Sequence, residues 1–73
     1  MNGEDIKIDA KYRHFKGKEY QVLHIATHSE TLEEMVVYKQ LYGNGGIWVR
    51  PKTMFTEFIE LDGKVIKRFE EID

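Results

Sequence analysis

The stretch Val36-Val37-Tyr38-Lys39-Gln40-Leu41-Tyr42-Gly43-Asn44-Gly45-Gly46-Ile47-Trp48-Val49-Arg50-Pro51 decides how this chain of 73 residues folds. It holds the only Trp, the only Pro and two of the four Tyr. Val36-Val37-Tyr38 is a β-branched and aromatic run, which favours a strand. Gly43-Asn44-Gly45-Gly46 is the strongest turn signal in the chain. Asn and Gly adopt positive φ at low cost, and Asn-Gly between strand-like runs marks a hairpin. Ile47 to Arg50 returns as the partner strand, with Ile47 and Val49 on one face and Trp48 and Arg50 on the other. A helix from Leu32 to Tyr42 competes with this reading and would make the domain α+β. Thr31 and Glu34 have capping-box spacing, and Leu32, Met35 and Val36 would share a helical face. Lys39 falls where that apolar face should continue. The sequence therefore predicts a loop from His28 to about Glu33, then a strand from about Met35 to Tyr42.

Upstream, Lys11-Tyr12-Arg13-His14-Phe15 alternates polar and aromatic residues as a short strand does, and Lys16-Gly17-Lys18 follows as a turn. Glu19 to Thr27 reads as a second strand. Tyr20, Val22, His24 and Ala26 would lie on one face and Gln21, Leu23, Ile25 and Thr27 on the other. Both faces are partly apolar, so this strand is expected in the middle of a sheet. Residues 1–10 read as a flexible arm and 11–73 as one small domain. Downstream, Pro51 cannot continue a central strand but suits the start of a helical turn, which places a 3₁₀ or α turn at Pro51–Phe55. Thr56 to Leu61 and Val65 to Phe69 read as strands joined by Asp62-Gly63, and Glu70 to Asp73 as a short tail. Five to six short strands with one helical turn before the last hairpin predict a mainly β domain, specifically a small SH3-like antiparallel barrel.

A chain this short buries only about 60% of the surface its unfolded form exposes. Cys is absent, so neither a disulfide nor a thiolate zinc site supports the fold, and self-association is the remaining common device. The absence of Cys fits a reducing, cytoplasmic setting. The acidic Met1-Asn2-Gly3-Glu4-Asp5 with no apolar run after it does not resemble a leader. No run approaches the roughly 20 apolar residues of a membrane span, so no membrane partner is expected. The formal net charge of −2 weighs against binding to duplex nucleic acid, where phosphate neutralisation dominates.

Tyr12-Arg13-His14-Phe15-Lys16-Gly17, His28-Ser29-Glu30-Thr31 with Glu33-Glu34, Val36-Val37-Tyr38, Leu41-Tyr42-Gly43, and Trp48-Val49-Arg50-Pro51 with Met54-Phe55 together resemble a family of small bacterial proteins catalogued only as a domain of unknown function. The resemblance runs from about Lys11 to Phe69. It implies a compact, mostly β domain in bacterial cytoplasm, and it brings no activity, substrate or site residues.

Four residue sets bear on chemistry. Of the three His, His24 and His28 would stand four residues apart on a strand, about 13 Å. Zinc needs ligand nitrogens at about 2.0–2.1 Å, so no metal site and no cofactor are expected. His28 or His14 with Glu30, beside Ser29, suggests a small hydrolase-like enzyme, but no orienting third residue or oxyanion turn accompanies them. Ser29, Glu30 and Thr31 equally suit turn and capping roles. Phe15, Tyr42 and Trp48 with Arg50 would make a stacking surface for single-stranded nucleic acid or a nucleotide, or for a peptide, unless those aromatics are core. Arg50 beside Trp48 is the leading cation for a ligand, with an ion pair to Glu30 or Glu34 as the alternative. Acidic Glu30, Glu33 and Glu34 and basic Lys11, Arg13, Lys16 and Lys18 would form two edges able to dock on each other. The reading favoured is a non-enzymatic binding module that recognises a protein or peptide partner or its own copy. Its candidate contacts are His14, Phe15, His28, Ser29, Glu30, Thr31, Trp48 and Arg50.

Overall fold

The structure, a computed structural model, describes residues 6–72. Seven strands and one helical turn follow in order: β1 (Lys11–His14), β2 (Glu19–Thr27), β3 (Glu34–Gln40), β4 (Ile47–Pro51), α1 (Lys52–Phe55), β5 (Phe58–Leu61), β6 (Lys64–Lys67) and β7 (Phe69–Ile72). The mainly β reading holds, and so does the helical turn after Pro51. The helix considered for Leu32–Tyr42 does not form, because that segment is the loop and β3. Thr31 Oγ1 accepts the Glu33 N–H at 3.2 Å within the turn instead of starting a helix.

Five strands make one antiparallel sheet in the order β4-β3-β2-β1-β7, and β5 and β6 form a separate hairpin. The sheet is not the closed barrel expected from the strand count. Its two edges, β4 and β7, share no ladder. Their side chains meet over the sheet face instead: Phe55 of α1 stacks on Phe69 of β7 with centroids 4.1 Å apart, and the Arg50 guanidinium of β4 lies 5.3 Å from the Phe69 ring centre. The expected C-terminal tail is a strand, since β7 pairs with β1 from Lys11 opposite Ile72 to His14 opposite Phe69.

The core is Tyr12, Val22, Val36, Tyr38, Phe55 and Phe69, with Ile6, Ala10, Tyr20 and Ile25 against it. Of the stretch read as an arm, residues 1–5 lie outside the described residues. Beyond them, Asp9 N donates to Val22 O at 2.8 Å, and Val22 N donates to Ala10 O at 3.0 Å.

Strict alternation along β2 does not survive. Val22 faces Tyr38 but His24 faces Val37, so Leu23 is an extra residue, a β-bulge. The bulge turns Ile25 onto the core face with Tyr20 and Val22, and leaves His24 exposed. The faces of β4 are those expected. Trp48 is paired with buried Tyr38 and Arg50 with buried Val36, so these two residues share the core face. Ile47 and Val49 lie on the outer face with Lys39 and Val37.

Candidate functional site

β2 separates the candidate residues into two groups. Its first residues lie opposite Arg13 and Gln40, and its last, Thr27, opposite Glu34. His14 therefore sits at one end of a nine-residue strand and the His28–Thr31 loop at the other, up to about 27 Å away along the strand. The pairing of His14 with Glu30 needed by a hydrolase-like site does not form. The loop is instead occupied with itself. His28 Nδ1 accepts the backbone N–H of Glu30 at 3.1 Å and of Thr31 at 3.3 Å, and Leu32 N donates to His28 O at 2.9 Å. His28 is a turn-forming side chain here, and no hydrogen bond links it to Ser29 Oγ or the Glu30 carboxylate among the described residues. The alternative ion pair of Arg50 with Glu30 or Glu34 is also absent among them. Glu34 pairs with Lys52 at 3.3 Å.

His14, Arg50 and Trp48 belong to the other group, gathered on the core face around Tyr20, Tyr38 and Phe69. The Arg50 Nε–H donates to Tyr38 Oη at 3.4 Å. Its guanidinium makes no salt bridge among the described residues, where the ion pairs are Lys7 with Glu71, Lys52 with Glu34 and Arg68 with Glu57. The His14 ring meets Phe69 edge-on at 4.9 Å and lies 4.4 Å from Phe15. Its Nδ1 accepts the Lys16 N–H at 3.2 Å. A neutral imidazole has one donor and one acceptor nitrogen, so the hydrogen is on Nε2. Burial lowers the His14 pKa below 6.5, helped by the positive charges of Arg50, Arg68 and Lys16. At neutral pH the ring is therefore uncharged, with Nε2–H as a donor.

Trp48 Nε1–H donates to Gln40 Oε1 at 2.6 Å. The buried Gln40 side chain also donates through Nε2 to Tyr42 O and to Asn44 Oδ1, each at 3.2 Å. Gln40 thus ties the Trp48 indole to the glycine-rich loop. Close packing there limits side-chain size: a Cβ on Gly43, which has φ +58°, would approach Gln40 Nε2 to 3.3 Å. Tyr20 and Tyr42 share a hydroxyl–hydroxyl hydrogen bond at 2.8 Å, and the Lys18 ammonium stands 4.5 Å from the Tyr42 ring centre. An open hollow of about 340 Å³ is lined by His14 with Arg13, Phe15, Ile66, Lys67 and Glu70. Tyr20, Gln40 and Phe69 were not among the residues picked from sequence. Gln40 and Tyr20 follow from the alternation of Val36, Tyr38 and Gln40 on β3 and its pairing with β2, and Phe69 from its place opposite His14 on β1.

A family model described as "Protein of unknown function (DUF1653)" matches residues 10–71. The chain belongs to the DUF1653 family. The crystal structure of a protein belonging to DUF1653 from Bordetella bronchiseptica superposes with a TM-score of 0.83 at 30% identity, over 97% of this chain and 92% of that one. No curated protein matches. The unknown-function family suggested by the motifs is thus established, and DUF1653 membership fixes the fold without assigning an activity. No helix among the described residues is long and apolar enough to cross a membrane.

Proposed function

We propose that this chain is a non-enzymatic binding module that extends its open sheet through β4, and that the first occupant of that edge is β4 of a second copy. The observation that carries this reading is the edge itself. Ile47, Trp48 and Val49 are consecutive apolar residues, 62%, 54% and 58% exposed, on a strand with a partner on one side only. Edge strands in soluble proteins are ordinarily blunted by charge, and this one carries none before Arg50.

The hydrogen-bond phase of β4 supports self-pairing. Gln40 N donates to Gly46 O at 2.9 Å. In an antiparallel ladder bonded and non-bonded pairs alternate, so Trp48 and Arg50 bond to β3, while the N–H and C=O of Ile47 and Val49 point outward. Two β4 strands related by a two-fold axis at Trp48 would satisfy all four outward groups on each strand and bring the two indoles face to face. An isologous contact of this kind closes on itself.

Sedimentation across a micromolar to millimolar range tests the reading. The wild-type chain should form a dimer. Val49→Pro, which removes only an outward N–H and leaves the β3 ladder intact, should be monomeric with an unchanged circular dichroism spectrum. A wild-type chain that stays monomeric throughout that range overturns it.

A further inference from the structure

Independently of the β4 edge, we propose that Arg50 and His14 form a binding site for an oxyanion, the phosphoryl or carboxylate group of a larger ligand. Both side chains are seated on the Phe69 ring, one over it at 5.3 Å and one edge-on at 4.9 Å. They come from β4, one edge of the sheet, and β1, the strand next to the other edge, so the curl of the sheet brings them together across the unpaired seam. What they present there is donors. Arg50 spends Nε on the Tyr38 hydroxyl, and its two terminal nitrogens make no hydrogen bond or ion pair to any described residue. His14 spends Nδ1 on the Lys16 N–H, which leaves Nε2–H as a second donor.

A guanidinium without a carboxylate matters in a chain with a net charge of −2. The other half-buried guanidinium, Arg68, is matched by Glu57 at 2.9 Å, and Lys52 by Glu34. Among the described residues Arg50 is the half-buried cation that keeps an unmatched fork, and planar fork geometry suits two oxygens of one anion. Tyr38 and Phe69 fix its plane, so little ordering remains for the ligand to bring about. The groups facing His14 are Arg50 from β4, Lys16 from the first turn, Arg68 before β7, and, around the adjoining hollow, Arg13, Lys67 and Glu70. Glu70 is the one carboxylate in that set, and it pairs across the ladder with Arg13. The surroundings are therefore net positive and suited to an anion.

Burial is the main cause of the lowered His14 pKa, and an anion bound there offsets the repulsion from Arg50, Arg68 and Lys16 that adds to it. The pKa should rise when the site fills, and affinity should increase as pH falls. Sulfate is a suitable first probe because it does not itself titrate in this range. In an NMR titration of the full chain, sulfate should shift the His14 ring resonances saturably and raise the His14 pKa, while the His24 ring resonances stay in place. Arg50→Gln should weaken sulfate binding roughly ten- to hundredfold, the loss expected for a charge-assisted pair. Arg50→Lys, which keeps the charge but not the fork, should lie between the two. If Arg50→Gln fails to fold, Arg50→Lys and the wild-type pKa shift still decide. Parallel titrations with a nucleoside monophosphate and with an acetylated acidic peptide separate phosphoryl from carboxylate sources, and tighter binding of either than of sulfate supports the site. Equal shifts of His14 and His24, or no saturable change, overturn it.

Discussion

Burial drives the Tyr20 pKa up to about 12, and the hydrogen bond to the Tyr42 hydroxyl adds to it. An unfolded tyrosine titrates near 10. The folded value is the higher one, so this hydroxyl stabilises the fold below pH 10, and the contribution is lost as pH rises through about 12. Ultraviolet absorbance should show Tyr20 ionising late, together with loss of structure. Tyr20→Phe should remove that late step and flatten the alkaline arm of the stability curve. The same residue shows what sequence could and could not say. Its strand and its apolar company were legible from Glu19 to Thr27. That its hydroxyl would meet Tyr42 was not, because the two are joined by a ladder twenty-two residues apart in sequence.

Among the elements, the turn between β2 and β3 holds a correctable strain. Leu32 adopts φ +62° and is 74% exposed, a left-handed conformation that suits Asn or Gly and costs a leucine roughly 1–2 kcal/mol. Leu32→Asn should raise stability by up to about 1 kcal/mol, read from a urea midpoint with an unchanged slope. Most strands could be read from local signals: Gly17, Asn44-Gly45 and Asp62-Gly63 each sit in a turn between strands, with positive φ at Gly17, Gly45, Asp62 and Gly63. The failures came from long-range terms. One bulge at Leu23 exchanges the faces of half of β2. Ile47 and Val49 look like core on local hydropathy, yet the register with Tyr38 and Val36 commits Trp48 and Arg50 to that side. Phe69-Glu70-Glu71-Ile72 looks like a polar tail until β1 is available to pair with it.

For the molecule as a whole, the aromatic stack substitutes for the hydrogen bonds a closed barrel would have. Phe55, 1% exposed, touches Tyr12, Tyr38 and Phe69, and so joins β3 to β1 and β7, which lie beyond β2 in the sheet. Phe55→Ala should cost about 3–5 kcal/mol, a large part of the total for a domain of this size, and urea denaturation measures it. The candidate site was legible as a list of residue types, since His14, Trp48 and Arg50 were each singled out. Its division was not legible, because which end of β2 each residue occupies depends on pairing. His28, Ser29, Glu30 and Thr31 looked equivalent to the others until the ladder put them at the far end.

The pairing of β1 with β7 has a consequence for a chain still being synthesised. Lys11 to His14 are made before every other strand of the sheet, but the strand that covers their outer edge follows all the others, and it brings Phe69, the ring on which Phe55, Tyr38, His14 and Arg50 all converge. Until residues 69–72 are free, β1 presents a bare edge and the core lacks its central ring. Folding of this domain therefore waits until residues 69–72 have been made, and a chain that stopped short of them would lack both the cover on β1 and the ring at the centre of the core.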